Sequence, residues 1–287
     1  MYCYSRLIED IEKIKDDRVE VFSIGRSLMG REIPCIKAGA GERKLFIAGA
    51  YHGLEYLTSA VIMYFLSCYL KSVKASTDIF GYDAESLFYD VTLFVVPMVN
   101  PDGVDIAING IDLTNKYHKQ LIETVGIHDF GNVWQANARG VDINHNFDAD
   151  WQRVKDGASP SKYGGECAES ESETRAVVEL IRKENIDMMI AFHSQGREIY
   201  YDFNGKTAPR SLEIAEKMAR VSGYEVKKPQ GTAAFGGCKD WFIKEFGREG
   251  FTVEIGKGRN PLPLSMLGSV YEENARIILC VMQECTV

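Results

Sequence analysis

The sequence KLFIAGAYHGLEYLTSAVIMYFLSCYL, residues 44–70, contains the unit that decides the fold. Its first part, residues 44–50, is a nearly unbroken apolar run, and a short polar turn separates that run from a long apolar stretch. A continuous apolar strand needs cover on both faces, which is typical of a parallel strand in an α/β sheet. The stretch from Leu57 to Leu70 is shorter than the ~20 residues that span a bilayer, so it predicts a buried core helix.

The alternation of apolar runs and helical stretches continues along the chain. Further runs predict strands at residues 91–99, 186–192 and 251–256. Helical periodicity and end signals predict helices at residues 5–15, 55–71, 170–184, 207–222, 239–247 and 268–284. The segments VEVFSIGRS and REIPCIKAG predict a hairpin that turns at Met29-Gly30. The sequence therefore predicts one α/β domain over residues 1–287, with a mixed, mostly parallel twisted sheet and helices on both faces.

Local signals predict several helix ends and one irregular region. The end signals are a capping box of Ser170 with Glu173, a first-turn proline at Pro209, and C′ glycines at Gly223 and Gly247. From Asn100 to Gly165 the chain is rich in Asn, Asp and Gly and has weak periodicity, so we expect long loops at one edge of the sheet. Long loops in a compact domain tend to carry function.

Composition narrows the class of protein. The formal net charge is −8 and the sequence pI is about 5.3, which argues against nucleic acid or an anionic membrane as the main partner. The seven cysteines are scattered, odd in number and without a CxxC pair, so we expect reduced, mostly buried thiols. The N-terminus MYCYSRLIEDIEKIKDD lacks the features of a signal peptide. We therefore expect a cytoplasmic protein.

Two titratable residues stand in the turn after the first apolar run. In AYHGLE, His52 and Glu55 lie between the predicted strand end at Ala50 and the predicted helix start. Open α/β sheets bind ligands at the carboxyl ends of their strands, and His and Glu at this spacing can converge on one ion there. On its own the motif is weak evidence, and a polar turn with a helix-capping Glu explains it better.

Two more ionisable residues are predicted at strands of the same sheet. His193 closes the run 186–192 and opens a polar turn. Glu254 lies inside the run 251–256, where an ionisable side chain is costly unless it is paired or functional. By alternation it shares a face of its strand with Thr252.

Together these positions supply two His and two Glu residues. Two imidazoles and one carboxylate leave zinc an open fourth position for water, whose pKa the metal lowers. A second carboxylate can take the water's proton and deliver it to a leaving amine. A chain of 287 residues can bury its core without a structural metal, so one functional Zn²⁺ and amide hydrolysis are predicted.

The chain resembles the zinc carboxypeptidases of the carboxypeptidase A superfamily over nearly its whole length. Six segments carry the resemblance in the same order and with similar spacing: IGRSLMGREIPCIKAG, HGLE, VVPMVNPDGV, ANARGVDINHNFD, FHSQG and FTVEIG. The resemblance implies that His52, Glu55 and His193 bind zinc and that Glu254 is the general base and acid. It also implies a metallopeptidase with a small peptide as substrate.

The segment ANARGVDINHNFD supplies further expected roles. The resemblance implies that Asp142 accepts a hydrogen bond from a zinc-bound imidazole and fixes its tautomer. It also implies that Arg139 polarises the scissile carbonyl and its oxyanion, and that Asn144 helps to anchor a substrate carboxylate.

Two positions depart from the family pattern. Where carboxypeptidases carry an Arg that clamps the terminal carboxylate, this chain has His145, which offers no bidentate fork. The position of the family's mobile substrate-binding Tyr is Thr232. These departures argue against ordinary C-terminal trimming of L-peptides.

In these departures the chain resembles the bacterial branch of the family that cuts the γ-D-glutamyl–diamino acid bond of cell-wall peptides. Such muropeptide substrates carry several carboxylates. Lys257 and Arg259 follow the predicted base strand and would meet those carboxylates, although solvated loop cations explain the pair equally well.

Three other functions fit parts of the pattern. A conventional metallocarboxypeptidase of altered specificity and an N-acyl amino acid amidase of the aspartoacylase type use the same metal ligands. The segments ANARGVDINHNFD and FTVEIG match the peptidases better than the amidase. An inactive zinc-binding module is the third alternative, and the intact Glu254 argues against it.

Overall fold

The computed structural model describes residues 1–126, 130–228 and 235–287, and it confirms the α/β fold class. The strands within these ranges are β1 Val19–Arg26, β2 Glu32–Ala38, β3 Arg43–Ala48, β4 Asp78–Ile79, β5 Tyr82–Asp83, β6 Val91–Val96, β7 Met188–Ser194, β8 Glu198–Tyr200, β9 Glu225–Lys227 and β10 Gly250–Ile255. The helices are α1 Tyr4–Ile14, α2 Tyr56–Ala75, α3 Ala84–Asp90, α4 Pro101–Asn109, α5 His118–Val125, α6 Phe130–Val133, α7 Ser172–Glu184, α8 Ser211–Ser222, α9 Cys238–Phe246 and α10 Leu267–Cys285.

Eight strands form one sheet in the order β1-β2-β6-β3-β7-β10-β8-β9. The central strands β6, β3, β7 and β10 run parallel to one another. The pairs β1–β2, β2–β6 and β10–β8 are antiparallel, and the predicted hairpin of β1 and β2 turns through Gly30, at φ +85°. The sheet is mixed and mostly parallel, as predicted, and the carboxyl ends of the four central strands lie along one edge.

Apolar side chains on the two faces of the sheet enter two separate cores. Leu45 and Ile47 of β3 belong to the core that includes residues of α1, α2, α8 and α10. Phe46 and Ala48 of the same strand belong to the core that includes residues of α7 and α9. Strands β6 and β7 are buried over their whole length, which explains their unbroken apolar runs. Helices therefore cover both faces, as predicted.

The prediction of long loops from Asn100 to Gly165 is wrong for part of that segment. Helices α4, α5 and α6 lie within it. Helix α4 has Pro101 in its first turn, and the Asn100 side chain caps it by accepting a hydrogen bond of 2.8 Å from the backbone N–H of Gly103. Apolar residues around Trp134 form a third core beneath these helices. The Asn-Pro pair is itself a helix-start signal, so the sequence contained this information.

Two of the predicted helix-end signals are wrong. Ser170 and Glu173 form no capping box, because α7 begins at Ser172 and Glu173 instead accepts a hydrogen bond of 3.3 Å from the backbone N–H of Leu28. Pro209 lies before α8 rather than in its first turn. The C′ glycines are confirmed, since Gly223 and Gly247 are left-handed and end α8 and α9.

Helix α2 is longer than predicted. The stretch Gly53–Ala75 is long and apolar enough to cross a membrane by length and composition. However, 83% of its most apolar window is buried inside the fold, and the core helices of soluble proteins pass the same test. Its packing is that of the buried core helix expected from Leu57 to Leu70.

Candidate metal centre and adjoining cavities

Three side chains with metal-ligating atoms meet at the carboxyl edge of the sheet. His52 and Glu55 follow β3, and His193 lies inside β7, the neighbouring parallel strand, rather than after it as predicted. One ligand atom from each residue lies within 4.8 Å of the other two. We call these three residues the metal group. The parallel register of two strands thus brings together the ligands that the sequence separates by 138 positions.

The carboxylate of Glu55 stands between the two imidazoles. Nδ1 of His52 lies 2.8 Å from Oε1 of Glu55, and Nδ1 of His193 lies 3.0 Å from Oε2. Glu55 and His193 are buried, with side-chain exposures of 3% and 2%. Both rings therefore present Nδ1 as the ligand atom, in a site closed from bulk solvent on most sides.

Close packing fixes the turn that carries the first two ligands. Gly53 lies against the backbone of α4, where an added Cβ would be 2.3 Å from the carbonyl oxygen of Gly103. Oγ1 of Thr58 accepts a hydrogen bond from the backbone N–H of Ala50 at 2.8 Å and donates one to the carbonyl of Glu55 at 2.7 Å. Glycine is required at position 53 for steric reasons, and the turn cannot shift without breaking these contacts.

Neighbouring side chains support the metal group. The ring of Tyr51 stacks on that of His193, with 5.1 Å between the ring centroids and 18° between the planes. Nδ2 of Asn260 donates to the carbonyl of Ser194 at 2.6 Å and lies 3.5 Å from Oε1 of Glu55. These contacts restrict the rotation of a ligating ring and of a ligating carboxylate.

Asp142 lies behind His52, where the resemblance expects it. Its Oδ1 is 3.2 Å from Nε2 of His52, and its Oδ2 accepts a hydrogen bond of 2.8 Å from the backbone N–H of Lys162. Burial acts to raise the pKa of Asp142, but the imidazoles of His52 and His145 outweigh burial and hold that pKa well below its usual range. An ionised Asp142 favours a proton on Nε2 of His52, so Nδ1 is the nitrogen that a metal can bind by displacing its proton.

Opposite charges also govern the titration of the metal group. Burial acts to lower the pKa of His52, but the carboxylates of Glu55 and Asp142 raise it well above its ordinary value. Burial acts to raise the pKa of Glu55, but the imidazoles of His52 and His193 lower it to about 2. The group therefore holds an ionised carboxylate, which is the form that binds a divalent cation.

Glu254 lies on β10 with its Cα in register with that of His193. Thr252 and Glu254 are half-buried, whereas Val253 and Ile255 are fully buried, so the predicted alternation of faces is confirmed. Burial, together with the negative charge of Glu55, raises the pKa of Glu254 well above its ordinary value. A carboxyl beside a metal group can accept a proton from one reacting group and give it to another.

Two cavities meet at Glu254, which lines both together with His52 and Tyr200. The first cavity has a volume of about 600 Å³, and its lining includes Lys162, Gln195, Glu198, Arg259 and Asn260. The second cavity has a volume of about 170 Å³, and its lining includes Asn144, His145, His193, Lys239, Asp240 and Thr252. A peptide that reaches into both cavities passes across Glu254 and the metal group.

The residues expected to bind substrate lie in different places. Asn144 and His145 line the second cavity, where Nδ1 of His145 is 3.2 Å from the carbonyl oxygen of Phe235. Arg259 is exposed and lines the first cavity, whereas Lys257 is exposed and lines neither. Thr232 lies outside the described residues. The substrate roles of these residues stay predictions.

Arg139 is engaged elsewhere. Its guanidinium forms an ion pair with Glu171, which is fully buried, and Arg139 is not among the described residues that line the two cavities. Burial acts to lower the pKa of Arg139, and the hydrogen bond and charge of Glu171 raise it. The expected role of Arg139 at the scissile carbonyl stays a prediction, and it would require release from Glu171.

Sequence reasoning missed several polar residues that line the cavities, Lys162 and Asn260 among them. Glu198 and Tyr200 lie on β8, a three-residue strand too short for periodicity to identify, and Lys239 and Asp240 lie in the first turn of α9. One detectable signal was the Lys-Asp pair itself, because it directly precedes the apolar run Trp241-Phe242-Ile243 of α9.

The metal group has the donor chemistry of a zinc site. Two imidazole nitrogens and one carboxylate form a ligand set that zinc accepts, with a fourth position left open. Nε2 of His193 is buried and has no hydrogen-bond partner among the described protein atoms. Nδ1 of His52 and Nδ1 of His193 both face the carboxylate of Glu55. The three residues are thus placed to bind one metal ion.

The chain belongs to the zinc carboxypeptidase family. The family model described as zinc carboxypeptidase matches residues 4–277. The protein is therefore a zinc metallopeptidase, and the recognition made from the six sequence segments is confirmed.

Individual relatives and solved structures agree with this assignment. The chain is 37% identical over 284 residues to gamma-D-glutamyl-L-diamino acid endopeptidase 1 of Lysinibacillus sphaericus, covering 97% of this chain and 71% of the relative. It is 24% identical to carboxypeptidase A1 of Bos taurus, covering 92% and 64%. Bovine thrombin-activatable fibrinolysis inhibitor has the same fold, with a TM-score of 0.75 at 20% identity, covering 98% of this chain and 95% of that chain.

Proposed function

We propose that this zinc peptidase hydrolyses the amide bond between γ-D-glutamate and a diamino acid in peptides derived from the bacterial cell wall. The observation that carries the proposal is the 37% identity, over 97% of this chain, to an endopeptidase named for that bond. The geometry supports it, because Glu254 stands between two cavities and a substrate can extend to both sides of the cleaved bond.

The residues of the site supply the following chemistry. His52, Glu55 and His193 would hold zinc, which when bound supplies a Lewis acid and lowers the pKa of a coordinated water to about 7. Glu254 takes a proton from the attacking water and returns it to the nitrogen of the leaving amino acid. Asp142 keeps His52 in the tautomer that ligates through Nδ1.

Charge in the first cavity supports an anionic substrate. Lys162 and Arg259 are exposed cations that line this cavity, on the opposite side of Glu254 from Asn144 and His145. A γ-linked glutamyl residue keeps a free α-carboxylate on the acyl side of the bond that is cut. Lys162 and Arg259 would attract that carboxylate, whereas an ordinary α-linked peptide has none at this place.

A paired hydrolysis assay on the zinc-loaded protein tests the proposal. One substrate is L-Ala-γ-D-Glu-meso-diaminopimelate and the other is a blocked L-dipeptide that ends in Phe or Lys, each with and without a chelator. Mass spectrometry of the products identifies the bond cut. We expect chelator-sensitive release of diaminopimelate and no cleavage of the L-dipeptide.

The other results separate the alternatives. Cleavage of only the L-dipeptide would keep the zinc peptidase and discard the cell-wall substrate. A further outcome is cleavage of both substrates by the wild type at comparable rates. If His145→Arg then shifts the ratio of the two rates toward the L-dipeptide, the specificity is assigned to position 145, because Arg restores a bidentate carboxylate clamp. Hydrolysis of neither substrate by protein with full zinc content would favour an amidase or an inactive module.

A further inference from the structure

The site described so far has no assigned side-chain donor for the oxygen of the scissile carbonyl. Amide hydrolysis develops negative charge on that oxygen, and hydrogen-bond donors fixed in place beforehand are among the largest contributions to catalysis. Arg139 pairs with the buried Glu171 and is not among the described residues that line the two cavities. Another residue of the first cavity is therefore a candidate for this role.

Gln135 lines the first cavity, and its backbone is bonded to the turn that carries two of the metal group's residues. The carbonyl of Gln135 accepts a hydrogen bond of 3.0 Å from the N–H of Gly53, the residue after His52. Its own N–H donates to the carbonyl of Pro160 at 2.8 Å, and the preceding Trp134 is fully buried. The backbone of Gln135 is thus fixed relative to the metal group.

The side chain of Gln135 is half-buried and uncommitted. Within residues 1–126, 130–228 and 235–287, its carboxamide forms no hydrogen bond with another residue, so both of its N–H donors can serve a ligand. Two other polar side chains of the same cavity are already used. Nδ2 of Asn260 donates to the carbonyl of Ser194, and the hydroxyl of Tyr200 donates to Glu198.

Three longer polar side chains of the first cavity are exposed. Lys162 and Arg259 are exposed cations, and the exposed Gln195 accepts a hydrogen bond at Oε1 from the N–H of Gly258 at 3.2 Å. Solvated, mobile groups must be reorganised when charge develops, which reduces what they contribute to the transition state. The half-buried amide of Gln135, on a fixed backbone, does not have this cost.

The sheet places Gln135 and Glu254 on different sides of the metal group. Gln135 is bonded to the turn after β3, Glu254 lies on β10, and β7 with His193 runs between these two strands. A carbonyl held over the metal group can therefore meet a donor on one side and the general base on the other. Stabilisation of the oxygen and proton transfer do not compete for the same space.

We propose that Gln135 is a catalytic residue that donates a hydrogen bond from Nε2 to the oxygen of the scissile carbonyl. As the water oxygen bonds to the carbonyl carbon, an electron pair of the C=O bond moves onto that oxygen, and Glu254 takes a proton of the water. The hydrogen bond from Gln135 strengthens as the negative charge grows. When the double bond forms again, the C–N bond breaks and the proton on Glu254 passes to the nitrogen.

Gln135→Met tests the role, because methionine keeps the length of the side chain and removes both donors. We expect kcat to fall by roughly 10²- to 10³-fold, as for other single oxyanion donors, with little change in KM. The kinetics use whichever of the two peptides in the paired assay the wild type cuts. The role of Gln135 therefore does not depend on the cell-wall substrate, and the two proposals fail separately.

Binding of a transition-state analogue gives a second readout that needs no turnover. In a phosphinate peptide, a tetrahedral phosphorus with a charged oxygen replaces the scissile carbonyl. Titration calorimetry on the zinc-loaded protein should show that Gln135→Met loses roughly the same 10²- to 10³-fold in affinity for the phosphinate, because the donor acts on the developing charge. Zinc content and melting temperature should equal those of the wild type.

Two matched variants serve as controls. Gln135→Lys keeps a donor at this position and should lose less than about 10-fold in kcat and in phosphinate affinity. Gln152→Met removes a carboxamide that is exposed and lines neither cavity, and it should change neither quantity.

Three results would overturn the proposal. The first is near-normal kcat and phosphinate affinity in Gln135→Met. The second is a fall in kcat that loss of zinc or of melting temperature accounts for, which would make the role structural. The third is a loss of phosphinate affinity in the double variant of Arg139→Met with Glu171→Gln but not in Gln135→Met, which would return the role to Arg139.

Discussion

Two groups of buried carboxylates differ in how their charges are satisfied. In the metal group, Glu55 faces two imidazoles through their ligating atoms, and Glu254 lies nearby in a half-buried position. The other group, which we call the acidic anchor, consists of Asp102, Glu171 and Glu173 around the start of α7, all fully buried.

The acidic anchor is satisfied by donors from its own fold. Asp102 accepts hydrogen bonds from Arg31 at 2.6 Å and from the backbone N–H of Met29 at 2.8 Å. Glu171 accepts bonds from Asn137 at 2.7 Å and from Arg139. These bonds join the β1–β2 turn and the loop before Asp142 to the body of the protein.

The comparison teaches that buried acids alone do not identify an active site. A carboxylate that arginines and backbone N–H groups already bond is satisfied by its own fold, so its contribution is to stability. Glu55 is faced instead by nitrogens that can be either donors or ligands, at the junction of two cavities. Convergence of ligand atoms on a cavity, rather than burial, distinguishes the metal group.

Among the variants that test this distinction, Glu254→Gln has the largest expected effect. If Glu254 transfers the protons, turnover should fall by roughly 10²- to 10⁴-fold with zinc content unchanged, because the amide cannot accept a proton. Activity on a peptide substrate and metal analysis of the same sample measure both quantities. Near-normal turnover would remove Glu254 as the general base.

Asp142→Asn tests the support of the metal group. We expect a 10- to 100-fold loss in zinc affinity or activity, because the amide no longer favours the tautomer of His52 that ligates through Nδ1. Competition with a chelator measures the affinity. The matched change in the anchor, Asp102→Asn, should lower the melting temperature and leave zinc affinity unchanged; equal effects of both variants on zinc would erase the distinction.

Arg139→Met tests a residue that the sequence assigns to the scissile carbonyl and that the structure pairs with Glu171 of the acidic anchor. The Arg139 side chain is 30% exposed, so the loss of the pair with Glu171 should cost about 1–2 kcal/mol of unfolding free energy, less than for a fully buried pair. The double variant Arg139→Met with Glu171→Gln should recover most of this stability. If turnover stays low in the double variant while the melting temperature recovers, Arg139 also acts on the substrate.

Glu173→Gln gives the smallest expected effect. Burial, with the charges of Glu171 and Asp102, raises the pKa of Glu173 to about 7 from an ordinary value of 4.5. The folded state therefore binds the proton more tightly, and the stabilisation is complete below pH 4.5 and is lost as the pH rises through 7. Between pH 6 and 8 the wild type should lose about 1 kcal/mol that the variant keeps. Urea titrations of the wild type and the variant at both pH values measure the unfolding free energies. The same pH dependence of unfolding free energy in both proteins would refute the prediction.

Much of the fold could be predicted because the signals are local or periodic. The apolar runs of β3, β6, β7 and β10 identify a sheet buried on both faces, and Gly223 and Gly247 identify two helix ends. The prediction was wrong where two signals compete. Glu173 has the spacing of a capping box, but the backbone N–H of Leu28, which is distant in the sequence, takes its carboxylate instead. The cytoplasmic location and the expected lack of nucleic-acid and membrane partners stay predictions.

The sequence alone determined the metal ligands and the family, because their identity is carried by residue type, order and spacing around His52, Glu55, His193 and Glu254. Only the tertiary structure decided which charged residues share a space. It brings Lys239 beside His145 in one cavity, and it pairs Arg139 with Glu171 outside both cavities. Ion pairs and cavities depend on distances between elements that are far apart along the chain, and no local pattern of residues encodes those distances.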